Sequence, residues 1–299
     1  MSRILLTGAS GLIGSRLIAA LEARGDEVVQ LVRSEPTDNH QFQWDPYAGT
    51  IDDRALKGLD AVINLSGAGI GDRRWTDRYR RTLVDSRIVT TRFLAEQLAD
   101  LGEKPTVFVS QSATGIYGDR GDELLTEESS TSTDDFLAKL TVDWEAAANP
   151  AREAGIRVIH PRTGIVIDRE SQLVKKLLPL FRLGVGGQLG DGQQWWGWIT
   201  LDDVVGAMLH LLDSNLEGPV NLTAPAPVRN KEFTRALAKQ VRRPAILPVP
   251  AFALRMVLGG EKADAIGLSG ARVLPVQLIE DGYRFTDPAI EPALARLLG

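Results

Sequence analysis

The chain has 299 residues, of which 43% are hydrophobic and 24% charged, and its formal net charge is −5. No run of basic residues is long enough to follow a phosphate backbone, so we expect no nucleic-acid partner. The absence of cysteine excludes disulfides, thiolate metal ligands and a cysteine nucleophile. The histidines His40, His160 and His210 lack metal-ligand spacing, so we expect no metal site.

The apolar segments of the chain are short. None reaches the roughly 20 residues that a membrane helix needs, and the first residues do not form the apolar core of a signal peptide. The sequence therefore predicts a cytoplasmic protein without a membrane partner.

Short β-branched runs alternate with helical patterns through the first half of the chain. In chain order the patterns predict a strand at 4–7, a helix at 12–24, strands at 27–32 and 61–65, a helix at 75–99, a strand at 106–110, a helix at 134–154 and a strand at 157–160. Strands that are joined through helices form a parallel sheet with helices on both faces. The predicted fold class is therefore α/β, with a doubly wound parallel sheet.

The pattern changes after about residue 163. A glycine-rich stretch at 184–192 leads into a tryptophan cluster, and a helix at 201–212, a strand at 220–223 and a helix at 231–241 follow. We expect two units. Residues 1–165 are predicted to form a dinucleotide-binding domain to which 199–225 returns, and 166–299 mainly a smaller substrate-binding cap with a C-terminal extension.

A glycine-rich turn separates the first predicted strand from the first predicted helix. Its glycines are Gly8, Gly11 and Gly14, in a GxxGxxG spacing that differs from the usual GxGxxG. Such glycines allow a tight turn, a close approach of a pyrophosphate to the backbone, and close packing of helix on strand. The turn predicts a Rossmann-type dinucleotide site, with contacts from the three glycines and from Ser10, Leu12 and Ile13.

The end of the second predicted strand bears on the choice of cofactor. An acidic residue there would bind a ribose hydroxyl, whereas a basic residue accommodates a 2′-phosphate. Arg33 and Ser34 occupy this position. They favour NADP (NADPH) over NAD. The alternative for Arg33 is an ordinary solvated arginine.

Two further strings resemble the short-chain dehydrogenase/reductase superfamily in its extended, epimerase-like branch. They are the small-residue turn with Leu65, Ser66 and Gly67, and the segment from Ser110 to Gly118 that ends in Tyr-Gly. Strings such as Asp85-Ser86-Arg87, Asp143-Trp144-Glu145 and Arg162-Thr163-Gly164 resemble an atypical NAD-dependent epimerase/dehydratase-like subfamily, often labelled epimerase family protein or cell-division inhibitor. The resemblance implies a Rossmann fold and cofactor contacts by Leu65, Ser66, Gly67, Ser110, His160 and Arg162.

The superfamily's Tyr-x-x-x-Lys pair is missing from the helix where it belongs. That segment has Phe136, which cannot exchange a proton, and Lys139 stands three positions after it instead of four. By resemblance, Ser112 would polarise a substrate carbonyl. Tyr117 is a candidate proton donor, although the family uses this tyrosine in a structural turn. For His160 a structural role is the alternative.

Four residues are candidates for substrate contact. Arg74 and Trp75 lie at the start of the predicted helix that follows the strand at 61–65. Trp195 and Trp196 follow the glycine-rich stretch, where their rings would stack on a planar or sugar-like ligand. The alternatives are a solvated helix face for the arginine and, within the tryptophan cluster, core packing for Trp198.

These observations together predict an NADP(H)-binding epimerase or reductase-like protein. It would act by hydride transfer on a small polar or nucleotide-sugar-like molecule, as a monomer or homodimer. The alternative is a catalytically weak or inactive NADPH-binding sensor, which the missing tyrosine and lysine favour.

Overall fold

The computed structural model covers residues 1–299. The strands, in chain order, are β1 (Arg3–Thr7), β2 (Glu27–Val32), β3 (Gln41–Asp45), β4 (Thr50–Ile51), β5 (Ala61–Asn64), β6 (Val107–Ser110), β7 (Ser112–Ala113), β8 (Leu124–Leu125), β9 (Arg157–Thr163), β10 (Ile165–Ile167), β11 (Trp195–Trp196), β12 (Trp198–Thr200), β13 (Gly218–Leu222), β14 (Val228–Arg229) and β15 (Arg272–Val273).

The α-helices range from four to 23 residues. In chain order they are α1 (Leu12–Ala23), α2 (Asp77–Ala99), α3 (Phe136–Ala146), α4 (Asn149–Glu153), α5 (Gln172–Arg182), α6 (Leu201–Asp213), α7 (Asn230–Gln240), α8 (Ala251–Leu258), α9 (Gly260–Ala263), α10 (Val276–Glu280) and α11 (Ile290–Leu298). Although α2 is the longest, neither it nor any other helix combines the length and the apolar character of a membrane span.

A nine-stranded sheet runs through the centre of the molecule in the order β13-β9-β6-β5-β1-β2-β3-β4, with β7 also paired to β9. Every pairing is parallel except that of β3 with β4. This confirms the predicted α/β class with a doubly wound parallel sheet. The register aligns Thr7, Asn64 and Ser110, so the carboxyl ends of β1, β5 and β6 meet at one edge.

Alternating side chains of each strand build a separate core on each face of the sheet. Ile4 and Leu6 belong to the core that α1 and α6 cover, whereas Leu5 belongs to the core on the opposite face, with side chains of α2 and α4. Both faces are therefore apolar, as expected for strands that helices cover on two sides.

The predicted helix at 134–154 is two helices, α3 and α4. Pro150 lies in the first turn of α4, where its missing N–H costs no hydrogen bond, but it could not continue a long helix. The predicted strand at 157–160 continues to Thr163, because β7 and β13 pair with its second half. Strands β3 and β4 were absent from the sequence prediction.

Residues of the C-terminal half contribute to the central sheet and its helices. Strand β13 pairs with β9 at the sheet edge, and α6 packs on the same core as α1. Asp203, at the start of α6, is fully buried. Its carboxylate accepts from the backbone N–H groups of Thr286 at 2.7 Å and Asp287 at 2.9 Å, which fastens the C-terminal segment to this helix.

Candidate functional site

The glycine turn after β1 is built so that side chains are excluded from it. Gly8 has a φ of +72°, which favours glycine, and a Cβ there would lie 2.7 Å from the carbonyl oxygen of Leu65. The N–H of Gly11 donates to the Gly8 carbonyl at 3.0 Å. A Cβ on Gly14 would overlap with that same carbonyl. Gly8 thus allows the tight turn and Gly14 the close packing of helix on strand, as the spacing predicted, and the pyrophosphate contact of Gly11 stays a prediction.

The N-terminus of α1 is free of competing groups. Gly11 is its cap residue, no side chain accepts from the first N–H groups, and the first turn contains no acidic residue. Ser10 and Gly11 are exposed, while Leu12 and Ile13 are half-buried. The unpaired N–H groups and the positive end of the helix dipole together make this turn a site for an anion.

A buried hydrogen-bond network fixes the strand ends beneath this turn. The Thr7 hydroxyl donates to the Asn64 side-chain oxygen at 2.6 Å and accepts from the hydroxyl of Ser66 at 2.8 Å. The Asn64 amide donates to the hydroxyl of Thr91 on α2 at 2.8 Å. This network links β1 with β5 and orients the loop that starts at Leu65.

Two residues follow β2, where the sequence predicts the 2′-phosphate contacts. Arg33 and Ser34 are both exposed. Burial raises the pKa of Tyr47, and the nearby charge of Arg33 acts in the opposite direction. Because Arg33 is exposed, its guanidinium is available to an anionic ligand.

Ser112 and Tyr117, the candidate catalytic pair, lie in a second network that is closed to solvent. The Ser112 hydroxyl donates to Glu145 Oε1 at 2.6 Å, and the Tyr117 hydroxyl donates to the side-chain oxygen of Asn221 at 2.7 Å. Arg162 joins the two. It donates to both Glu145 oxygens, at 2.9 and 3.0 Å, and to the Tyr117 hydroxyl at 3.0 Å. Ser112 is 1% exposed and Tyr117 0%.

The electrostatics of this network follow from its burial. Burial alone would raise the pKa of Glu145, but hydrogen bonds and charge from Arg162 bring it below its ordinary value. Burial raises the pKa of Tyr117. Burial also lowers the pKa of His160 to about 4, against the opposing charge of Glu145. At neutral pH the network therefore contains one carboxylate, one guanidinium and a neutral imidazole.

Ser110 and His160 lie together near the ends of β6 and β9. Ser110 is completely buried and its hydroxyl has no partner. His160 Nδ1 lies 3.4 Å from the Ser110 carbonyl oxygen, and Nε2 lies 3.1 Å from a nitrogen of Arg152. The imidazole, 2% exposed, is thus held by protein groups on both nitrogens.

A cavity of about 190 Å³ opens between the segment after β7 and the residues before β15. Its polar side chains come from Thr114, Asp135 and Ser269, and its remaining lining residues are Gly115, Gly118, Leu137, Ile165, Trp195, Gly197, Ala265, Ile266, Gly270 and Ala271. Asp135 is the ionisable group among them. It also caps α3, because its Oδ1 accepts from the N–H of Ala138 at 2.9 Å.

Trp195 lines this cavity, but its ring faces are occupied. The guanidinium carbons of Arg229 and Arg272 lie 4.6 and 4.7 Å from the ring centroid, and the indole N–H donates to Asp122 at 2.6 Å. Trp196 is 2% exposed and packs on Phe233. The stacking geometry expected from the sequence is therefore absent: Trp196 is a core residue, and Trp195 is already stacked.

Arg74 and Trp75 line a different cavity, of about 410 Å³. A guanidinium N–H of Arg74 donates to the carbonyl of Met256 at 2.9 Å. The indole of Trp75 donates to the carbonyl of Ile70 at 3.0 Å and meets Phe136 edge-on. The structure thus separates these two residues from the cavity that Trp195 lines.

Sequence reasoning missed the three polar residues that line the smaller cavity, of which Thr114 and Asp135 come from the segments around β7 and α3. One signal was present for the carboxylate. Asp135 stands four positions before Lys139, which is the spacing of the tyrosine and lysine in the family motif. The hydroxyl of Thr114 follows Ser112 by two residues, but only the chain path after β7 turns it toward the cavity.

Comparison with known proteins agrees with this architecture. Residues 4–223 match the model of the NAD dependent epimerase/dehydratase family. The chain belongs to that family. Residues 249–297 match a second model, a domain of unknown function, DUF1731.

Relatives described as epimerases or epimerase family proteins match this chain over at least 97% of its length. An epimerase family protein of Mycobacterium bovis is 42% identical over 292 residues, which is 97% of this chain and 96% of that protein. The crystal structure of the human epimerase family protein SDR39U1 with NADPH matches with a TM-score of 0.90 and 30% identity, over 99% of each chain. A Corynebacterium glutamicum structure described as a nucleoside-diphosphate sugar epimerase matches with a TM-score of 0.82 and 36% identity. It covers all of this chain and 58% of that one.

Proposed function

We propose that this epimerase-family protein binds NADP(H) along the carboxyl edge of its sheet and performs hydride transfer on a small polar or nucleotide-sugar-like substrate. The observation that carries the proposal is the glycine turn with its uncapped helix. A Cβ on Gly8 or Gly14 would collide with backbone atoms of the turn, and no side chain caps the N–H groups at the start of the helix. A dinucleotide pyrophosphate fits this site in shape and charge.

The choice of NADP over NAD rests on Arg33. Its guanidinium is exposed directly after β2, and Ser34 adds a hydroxyl beside it. A 2′-phosphate would gain a charge-assisted hydrogen bond there, and the first residue after β2 is basic, whereas an acidic residue at that position would bind a free 2′-hydroxyl. The human relative, whose structure contains NADPH, supports the same choice.

The substrate is proposed to enter the cavity of about 190 Å³. This volume suits a small molecule or one sugar-sized part of a larger one. Thr114 offers a hydroxyl and Asp135 a carboxylate, so the ligand would have hydroxyl or carbonyl groups to pair with them. The Corynebacterium relative's description as a nucleoside-diphosphate sugar epimerase is the support for a nucleotide-sugar-like ligand.

When it is bound, the cofactor supplies a hydride donor or acceptor. The chain must orient the substrate and move a proton. Ser112 and Tyr117 remain candidates from the resemblance, but both hydroxyls already donate inside the closed network. Thr114 and Asp135 are therefore the preferred groups for binding the substrate oxygen and accepting its proton, with water as the remaining proton carrier.

A catalytically weak NADPH sensor is the second candidate function. The closed state of Ser112 and Tyr117 favours it, because neither hydroxyl is available to a ligand without breaking a buried hydrogen bond. In this alternative the protein binds NADPH at the same site but does not catalyse a reaction in the cavity.

Direct binding measurements test the cofactor assignment. We expect the purified protein to bind NADPH more tightly than NADH, and Arg33→Ala to weaken NADPH binding about tenfold while changing NADH binding little. Arg92→Ala, which removes an exposed arginine of α2, is the matched control. Tighter binding of NADH, or an unchanged NADPH affinity in Arg33→Ala, would refute the 2′-phosphate contact.

Turnover separates the two candidate functions. Absorbance of the reduced nicotinamide is followed with small aldehydes, ketones and nucleotide sugars. If the cavity is catalytic, Thr114→Val should lower the rate more than Ser112→Ala does. Absence of turnover with every substrate class favours the sensor.

A further inference from the structure

Arg87, in the middle of α2, is a buried guanidinium without a carboxylate partner. It is 7% exposed. Its N–H groups donate to two carbonyls, that of Leu83 at 3.2 Å and that of Ala68 at 2.9 Å, and its guanidinium carbon lies 5.1 Å from the centroid of the Trp144 ring. Arg162, the other arginine buried to this degree, is by contrast paired with Glu145.

Burying an arginine without a carboxylate partner lowers the stability of the folded protein. Buried charges are normally paired, because removing an ion from water is expensive unless an opposite charge compensates. Burial lowers the pKa of Arg87 to about 10, so the group is still protonated at neutral pH. The free protein therefore holds one uncompensated positive charge at this position.

The position of this charge is specific. Ala68, whose carbonyl accepts from Arg87, also donates its N–H to the hydroxyl of Ser86 at 3.0 Å. A Cβ on Gly67 would lie 3.2 Å from the guanidinium carbon, while Gly67 itself is exposed. The loop after β5 thus lies directly against the charge, and this part of the loop follows Ser66, which belongs to the hydrogen-bond network beneath the glycine turn.

We infer that Arg87 is a positioning residue for the cofactor and the electrostatic counterpart of its phosphates. It holds the loop from Ser66 to Ala68 in place, and its charge acts on an anionic dinucleotide through that loop. The inference rests on the proposed NADP(H) site and extends it by a residue that does not touch the ligand. The attraction is strengthened because Arg87 is buried, where the effective dielectric constant is lower than that of water.

Two substitutions separate charge from hydrogen bonding. Arg87→Gln keeps an N–H donor for Ala68 but removes the charge, whereas Arg87→Lys keeps the charge. We expect Arg87→Gln to raise the Kd for NADPH about tenfold and to reduce its dependence on salt between 50 and 300 mM, roughly as for the loss of one charge pair. Arg87→Lys should stay within about threefold of the original Kd. Arg81→Gln, an exposed neighbour on α2, is the control.

Unfolding of the cofactor-free variants by urea distinguishes a structural role. If Arg87 only supports the fold, Arg87→Gln should lower the free energy of unfolding and leave the salt dependence of NADPH binding unchanged. That result overturns the inference. So does a Kd within twofold of the original in folded Arg87→Gln. If Arg87→Gln fails to fold, Arg87→Lys decides: a tenfold loss there overturns the role of the charge, and near-original binding supports it. If the original protein does not bind NADPH, the proposed function itself is refuted. If the original protein binds NADPH and Arg87→Gln binds it equally well, only the role of Arg87 is refuted.

Discussion

Two polar regions lie at the same edge of the sheet and differ in how their hydrogen bonds are used. Around Gly8 and Gly11, backbone N–H groups are left without partners and the surface is open. Around Ser112 and Tyr117, both hydroxyls, both Glu145 oxygens and all three Arg162 side-chain nitrogens are hydrogen-bonded to other side chains, and Ser112, Tyr117 and Arg162 are buried.

The difference shows what a ligand site requires. A polar group that is already paired must break a bond before it can bind anything, and a buried donor or acceptor left alone costs about 1–3 kcal/mol. Binding of an anion to the open region is favourable, because it pairs N–H groups that have no partner. Binding of a ligand to the closed region is unfavourable, because it breaks existing hydrogen bonds. We therefore assign ligand binding to the first region and expect the second to act mainly as framework.

Glu145→Gln tests the framework role most strongly. The variant leaves Arg162, whose side chain is 5% exposed, without a countercharge. We expect a loss of about 3–5 kcal/mol in the free energy of unfolding, measured with urea. Glu153→Gln, on the exposed side of α4, should change it little. A small effect at Glu145 would mean that the network is looser than its hydrogen bonds indicate.

Gly14→Ala tests the open region. The added methyl group would overlap with the Gly8 carbonyl and push the helix away from the strand. We expect the Kd for NADPH to rise about 100-fold, near 2.7 kcal/mol of binding free energy. Gly102→Ala, where a Cβ has no neighbour within 4 Å, is the matched control. Equal NADPH affinity in the two variants would remove the glycine turn from the cofactor site.

Acidification tests the closed region without a substitution. His160 is neutral when buried, with a pKa of about 4 against 6.5 for an unperturbed histidine. The unfolded chain therefore binds this proton first, and stability falls as the pH is lowered from 6.5 towards 4. We expect a loss of about 2 kcal/mol between pH 6.5 and 4.5. Urea unfolding of His160→Asn should show a much smaller loss, and an identical pH dependence would contradict the assignment.

Tyr117→Phe should have the smallest effect. Removing the hydroxyl leaves Asn221 and one N–H of Arg162 without their partner, for an expected loss of about 1–2 kcal/mol in stability. NADPH affinity should be unchanged. If Tyr117→Phe stays folded but loses turnover, Tyr117 would again be the candidate proton donor. That result would weaken the contrast between the two regions.

Local patterns in the sequence were sufficient to predict the central strands and the glycine turn. The apolar run of β5 and the spacing of Gly8, Gly11 and Gly14 depend on neighbouring residues alone, and the structure has both where they were expected. The same holds for α1, which begins at Leu12 as predicted. Such features need no knowledge of distant contacts.

The closed network could not be predicted in this way. Ser112 resembles a catalytic serine by position, but Glu145 and Arg162, which occupy its surroundings, come from α3 and β9. The stacking of Arg229 and Arg272 on Trp195 likewise brings together β14, β15 and β11. Whether a polar side chain is free or engaged depends on tertiary contacts, and a motif contains no information about them.

Trp195 is an intrinsic fluorescent probe for the smaller cavity. This indole lines the smaller cavity while two guanidinium groups cover its faces and Asp122 accepts its N–H. Any molecule that enters the cavity changes the surroundings of the ring, and with them its emission. Comparing the fluorescence of the original protein with that of Trp195→Phe therefore allows compound libraries to be screened for cavity ligands before any reaction is known.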